Sequence, residues 1–299
     1  KNMERFDEIL QVKKNFDILK RVFLIGKKEA CFYFIDGFHK DMTMQKLLQY
    51  FGGITEQDTP QTMEELLQKY MPYGELEKVK DVDTLLGAIL SGKPALFIDG
   101  FSEALTIDFR DYPARGVTEP DKDKAMRGSK DGFVETLAFN TALIRRRIRT
   151  PQFTIEMMSA GKSSRTDIAV CYMEDRVDKK FLQVVTDRIK SISVDALTMN
   201  QQSLAESMFH TKWFDPFPKF KYTERPDSAA ACILEGSIVL LVDNSPSAMV
   251  LPASIFDIVE EADDYYFPPV TGTYLRLSRI IIDFLAIILT PLFLLLTEY

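Results

Sequence analysis

Three stretches of the chain carry residue types that could bind an anion. Arg127-Gly128-Ser129-Lys130-Asp131-Gly132-Phe133 precedes a helix-spaced apolar segment. Free amides at a helix N-terminus, helped by a lysine, hold anions. The same residues also make an ordinary turn into a helix, with Ser129 or Asp131 as its cap. The Gly-x4-Gly-Lys-Ser/Thr spacing of a phosphate-binding loop is absent there. Gly161-Lys162-Ser163-Ser164 ends like such a loop, but position 156 is Glu, so a strand-connecting turn is the better reading. Arg145-Arg146-Arg147 closes the apolar segment. Three arginines there suit a phospholipid head group, an acidic partner, or salt bridges within the chain. Arg127, Gly128, Lys130, Asp131, Gly132, Arg145, Arg146 and Arg147 are therefore the candidate anion or subunit contact.

Acids end three apolar runs: Asp36, Asp99 and Asp243. Such carboxylates serve as bases or metal ligands in some proteins, but Asp-Gly by default caps its own turn. No Gly-x-Ser-x-Gly elbow and no cysteine–histidine pair occur. His39 and His210 are too few and too scattered for a zinc site. Cys31, Cys171 and Cys232 form no CxxC pair, and each lies in an apolar run, as buried thiols do. No catalytic residue, metal site or cofactor is expected.

These residues must be held by elements that the hydrophobic spacing outlines. Helical spacing covers 4–20, 41–51, 62–70, 82–90, 131–148, 179–189, 203–209 and 228–234. Apolar strand runs cover 22–25, 30–35, 95–98, 104–109, 153–158, 168–173, 238–242 and 248–251. Residues 111–128 are polar and hold Pro113, Gly116, Pro120 and Gly128, as a linker does. The pentapeptide FIDGF occurs at 34–38 and again at 97–101, yet the better internal match lies elsewhere. AILSGKPALFIDGFSEALT (88–106) aligns without a gap on CILEGSIVLLVDNSPSAMV (232–250), a shift of 144 residues. CFYFIDGFHKDM (31–42) aligns on AVCYMEDRVDKK (169–180), a shift of 138, and LIGKK (24–28) faces SAGKS (159–163). The expected fold class is α/β, with two similar subdomains from an internal duplication. Their expected bounds are 1–112 and 129–270, joined by the linker 113–128.

Leu277–Leu296 is a run of 20 apolar-rich residues, close to the ~20 that cross a bilayer core. It reads as a first transmembrane helix. Arg276 precedes it and Arg279 lies near its first edge, which by positive-inside logic puts residues 1–275 in the cytoplasm. A first residue other than Met, and an end just past this run, suggest a piece of a longer membrane protein. The net charge of −7 argues against nucleic acid as a partner.

RGSKDGFVETLAFNTALIRRRI (127–148), TERPDSAAACILEGSIVLLVDNSPSAMVLP (223–252), Asp263-Asp264-Tyr265-Tyr266 and LRLSRIIIDFLAIILTPLFLLL resemble the GerA-type A-subunit family of spore germination proteins. NFDILKRV, the FIDG strands, GKSSRTDIAVCYMED and DPFPKFKYTERPD are most similar to its stage V sporulation protein AF branch. The resemblance implies a cytoplasmic, spore-core domain of two α/β subdomains, followed by a multi-helix domain in the spore inner membrane. It implies a non-enzyme that forms a homo-oligomer, meets the lipid bilayer and a partner membrane subunit, and acts in an ion channel or ion-release complex. A different class of function stays open beside it. A cleft between two α/β units is a common ligand site, which would make the domain a small-molecule sensor for nutrients or anions.

Overall fold

The computed structural model describes residues 2–71, 75–112, 131–197, 201–209, 219–254 and 269–297. A short helix, α1 (Asn2–Ile9), leads into a hairpin of β1 (Ile18–Ile25) and β2 (Lys28–Ile35), with Ile18 opposite Ile35 and Ile25 opposite Lys28. The two-residue loop turns because Gly26 holds a left-handed φ of +59°, a conformation that matches strand twist. Ala30 and Phe32 face one side of β2, Cys31 and Tyr33 the other, and both sides are buried. A strand covered on both faces loses its polar alternation, which is why 30–35 reads as one apolar run.

The covers are helices. α2 (Asp41–Gly52) and α3 (Met63–Tyr70) bury Met44, Leu47, Phe51 and Leu66 on the Phe32 face. α4 (Val82–Leu90) joins α1 on the Tyr33 face through Phe6, Leu85 and Ile89. Thr62 and Asp81 cap α3 and α4, each accepting a backbone N–H from the first turn. β3 (Leu76–Val79), β4 (Ala95–Ile98) and β5 (Ala104–Ile107) complete an antiparallel sheet of order β1-β2-β4-β5-β3.

The second unit repeats every step. α5 (Leu137–Arg145), β6 (Phe153–Ala160), β7 (Thr166–Met173), α6 (Lys179–Ser191), α7 (Gln201–Met208), β8 (Lys221–Thr223), α8 (Pro226–Leu234), β9 (Ile238–Val242) and β10 (Ala248–Leu251) follow in that order. Their sheet is β6-β7-β9-β10-β8, the same topology. α5 and α8 cover one face and α6 and α7 the other. The internal alignments hold residue by residue. β2 and β7 start at 28 and 166, a shift of 138; β5 and β10 start at 104 and 248, a shift of 144. Gly92 and Gly236 both have positive φ after α4 and α8. In the β4–β5 and β9–β10 turns, Gly100 (φ +81°) and Asn244 (φ +59°) are likewise equivalent.

The expected helices over 4–20 and 131–148 are each cut short. Residues 10–17 leave the helix at Gln11, whose φ is +49°, and serve as a strap to the other unit. Residues 131–136 run extended because their backbone is engaged elsewhere, Phe133 N–H donating to the Glu224 carbonyl. β3 and β8 have no counterpart in the hydrophobic spacing. They are edge strands of four and three residues, LEKV and KYT, too short and too polar to show a period. Residues 113–128, Arg127, Gly128, Lys130, His210 and 263–266 lie outside the described residues.

One further helix, α9 (Pro269–Thr297), spans 29 residues with Pro291 inside it. The most apolar 18-residue stretch within Val270–Thr297 has a mean hydropathy of 2.6, and none of it is buried within the chain. By length and composition it is a candidate membrane span.

Candidate functional site at the junction of the two units

Arg145 ends α5, and its side chain is completely buried. A guanidinium cannot shed its charge, so burial demands a matched acceptor for every face of the fork. Asp17, also buried, supplies both oxygens: Nε donates to Oδ2 at 2.7 Å and Nη2 to Oδ1 at 3.0 Å. Nη1 donates to the Phe153 carbonyl at 2.8 Å and Nη2 to Asn15 Oδ1 at 3.3 Å. The cation also lies 4.4 Å from the centre of the Phe153 ring.

The strap 10–17 is itself fastened to the second sheet. Asn15 donates to the Leu10 carbonyl and accepts from Ile155 N–H at 2.9 Å, while Phe16 N–H donates to the Ile155 carbonyl. Lys14 reaches Glu174 and lies over the Tyr172 ring. Burial pushes the Glu174 carboxyl up, but its hydrogen bonds with Lys14 and Lys179 outweigh that and hold it below its ordinary value. A second contact joins the units on the far side of Arg145. Ile35, Phe38 and Ala142 form a small buried cluster with Tyr112, so the first FIDGF turn packs on α5. A cavity of about 560 Å³ lies beside the strap, lined by Lys13, Lys14, Lys20, Glu156 and Met157 among others.

The arginine triplet is therefore not one site. Arg145 is locked inside the junction; Arg146 is exposed with its guanidinium 4.5 Å from the Tyr112 ring centre; Arg147 donates to Asp131 at 2.6 Å and to the Leu143 carbonyl. Gly132 is buried in the extended segment ahead of α5. Asp131 and Gly132 thus lie on the second unit, while Arg127, Gly128 and Lys130 fall outside the described residues.

The strand-end acids act through their backbone first. Asp36 N–H donates to the Asp17 carbonyl and Glu174 N–H to that of Gln152; Asp99 N–H donates to Glu29 and Asp243 N–H to Asp167. Those pairs are equivalent between the units, and they show that the two FIDGF copies end different strands. Asp243 does more, accepting Leu137 N–H at 3.3 Å and so capping α5 from another strand. Among the described residues no group of three metal-ligating side chains comes together. Cys31, Cys171 and Cys232 are buried and form no disulfide among the described residues. Burial pushes the Cys31 thiol up to about 12 and raises that of Cys171 as well, so neither is a thiolate near neutrality.

Sequence reasoning missed Asp17, Asn15 and Tyr112, the partners that give the triplet its meaning. The one available signal was Asp17 directly ahead of an apolar strand.

A family model described as Bacillus/Clostridium GerA spore germination protein matches residues 4–299. The chain belongs to the GerA family. Among the family's curated members, stage V sporulation protein AF of Bacillus subtilis (strain 168) is 36% identical over 98% of this chain and 59% of its own length. The uncharacterized membrane protein YfkQ of the same organism is 29% identical over 95% of this chain and 55% of its own length. The chain therefore spans less than two thirds of these relatives. The crystal structure of the N-terminal domain of the A subunit of the Bacillus megaterium spore germinant receptor GerK3 superposes with a TM-score of 0.64. That likeness has 25% identity and covers 84% of this chain and 93% of the other. None of these GerA-family names is that of an enzyme.

Proposed function

We propose that the two units form a non-enzymatic assembly and regulatory domain of a germination-associated ion-channel or ion-release complex, held at a membrane by α9. Unit 1 comprises residues 1–112, unit 2 residues 129–270, and 113–128 link them. The observation that carries this reading is the junction. Buried charge and apolar packing are spent on fixing one unit against the other, through Arg145, Asp17, Phe38 and Ala142. A rigid double unit ahead of an apolar helix suits force transmission or docking better than turnover. Family membership supports the germination setting, in the spore inner membrane with residues 1–275 on the spore-core side. In that setting the domain forms a homo-oligomer and meets a partner membrane subunit.

The experiment is cross-linking with native mass analysis of the protein in spore membranes, using Arg146→Glu. Arg146 is the exposed member of the triplet, so its reversal leaves the junction pair in place. Loss of the higher assemblies at unchanged protein level supports the reading. An unchanged assembly pattern sinks the role of this face.

A second reading rests on the cavity of about 560 Å³ at the strap, whose three lysines would suit an anionic nutrient or a phosphate. A thermal-shift screen with amino acids, nucleotides and phosphates tests it; a Tm rise that saturates with one compound and vanishes in Lys13→Glu favours a sensor.

A further inference from the structure

α9 carries polar side chains that the junction of the two units leaves without a role. Within its apolar run Leu277–Leu296 stand Ser278, Arg279, Asp283 and Thr290. Ser278 returns its hydroxyl to the Leu275 carbonyl at 2.8 Å, and Thr297, just past the run, does the same to Phe293 at 3.0 Å. Asp283 and Thr290 bond nothing among the described residues, and both are exposed. Asp283 follows Leu277 by six residues. That is about 9 Å into a hydrocarbon core of ~30 Å. A carboxyl facing lipid at that depth is costly, so such groups turn toward protein.

Asp283 and Thr290 lie on one stripe. Arg276, Arg279, Asp283, Ala286, Thr290 and Thr297 recur at steps of three, four or seven residues. At 3.6 residues per turn they share an arc of about 80°. From Arg276 onward that arc holds one large apolar residue, Leu294, whereas the opposite face carries Leu285, Ile288 and Leu292. A repeat of about 3.5 residues keeps one stripe turned to a neighbouring helix along its whole length. Small and polar residues in such a stripe let two membrane helices approach and bond.

We infer that this stripe is the contact between α9 of one copy of the chain and α9 of a second copy, side by side in the same direction. The inference rests on α9 crossing a membrane, as the proposed function has it. A second copy is the occupant because the stripe complements itself at equal depth. Arg279 lies one turn before Asp283, so the guanidinium of one copy meets the carboxylate of the next about 6 Å along the axis, within the reach of an arginine. Thr290 faces Thr290, and a hydroxyl both donates and accepts. Ala286 between them leaves room for close approach. An unrelated helix would have to bring its own cation and its own hydroxyl at the same spacing.

The test is disulfide cross-linking of the whole chain in the membranes of producing cells, with copper phenanthroline as oxidant. Ala286→Cys places a thiol on the stripe and Leu292→Cys places one opposite it. A linked dimer is expected from Ala286→Cys, at least about threefold above Leu292→Cys and above the unaltered chain with its three buried thiols. Asp283→Leu combined with Ala286→Cys should lower the yield about threefold or more, because it removes the carboxylate while keeping the run apolar. Release of the chain by alkaline carbonate would mean that α9 does not span, and would overturn the membrane reading together with the inference. A chain that resists release while Ala286→Cys links no better than Leu292→Cys overturns the inference alone. So does a yield indifferent to Asp283→Leu.

Discussion

Arg145 and Asp17 stand 128 residues apart in the chain and on different units, yet they form a bidentate ion pair with both side chains buried. Such a pair contributes little net stability beside an apolar replacement, because both charges lose their water. Removing one partner is another matter, since the other charge stays buried alone. Arg145→Met should therefore destabilise the protein by about 3–5 kcal/mol. Arg145→Lys should not rescue it, because an ammonium cannot span both Asp17 oxygens and still reach the Phe153 carbonyl. Urea denaturation of the three proteins measures this. A loss under about 1 kcal/mol for Arg145→Met would mean that water replaces the pair.

Two glycine turns at non-equivalent positions make a second, differential prediction. Gly100 and Gly236 both have positive φ, at +81° and +102°. A Cβ added at Gly100 would meet nothing within 4 Å, whereas at Gly236 it would lie 2.9 Å from the Arg176 carbonyl oxygen. Gly100→Ala should then cost only the left-handed backbone penalty, about 1–2 kcal/mol. Gly236→Ala should cost that plus the displacement of the Arg176 backbone, and so clearly more. Asn244→Gly should be close to neutral, since asparagine already tolerates the conformation. Equal Tm losses for the two alanine variants would contradict the contact at Arg176.

What could be read from the sequence was local and repeated. The runs at 30–35 and 168–173 announce strands covered on both faces, and the acids after them announce turns, so the alignment of Asp99 on Asp243 survives in the structure. Repetition also exposed the duplication, because three matches in the same order constrain one another. Arg145 shows the limit. Its meaning depends on Asp17, a partner no local pattern connects to it, and on a strap whose residues have helical spacing but are engaged with Ile155. The same limit shortened the helix at 131–148. Phe133 and Glu135 have helix-compatible spacing, yet their backbone bonds run to Glu224 and Asn244. β3 and β8 escaped because sheet edges need little apolar surface.

The strap predicts a pH dependence. Lys14 and Lys179 hold the Glu174 carboxyl below its ordinary 4.5, against the opposing effect of burial. A carboxylate with a lower pKa folded than unfolded stabilises the fold above the unfolded value. That stabilisation is lost as pH falls through the folded value. Stability should therefore decline below about pH 4.5, and Lys14→Met should make the decline shallower. Because these groups are part-exposed, the change should stay under about 1 kcal/mol. Denaturation midpoints near pH 6.5 and near pH 3.5, for wild type and variant, give the comparison. An identical pH slope in the two proteins would rule out Lys14 as the source.

The three thiols report on each unit separately, since Cys31 belongs to the first sheet and Cys171 and Cys232 to the second unit. All are buried, and burial holds the Cys31 thiol near 12. At about pH 8 a thiol reagent should modify the folded chain only as fast as it opens locally, whereas the unfolded chain should react at once. Arg145→Met loosens the contact between the units while leaving each sheet paired. It should therefore speed modification of Cys171, whose strand lies next to β6 and the Phe153 carbonyl, more than that of Cys31. Mass mapping of the modified cysteines over time decides this. Equal acceleration at both sites would mean that the two units open as one cooperative body and that the junction does not separate them.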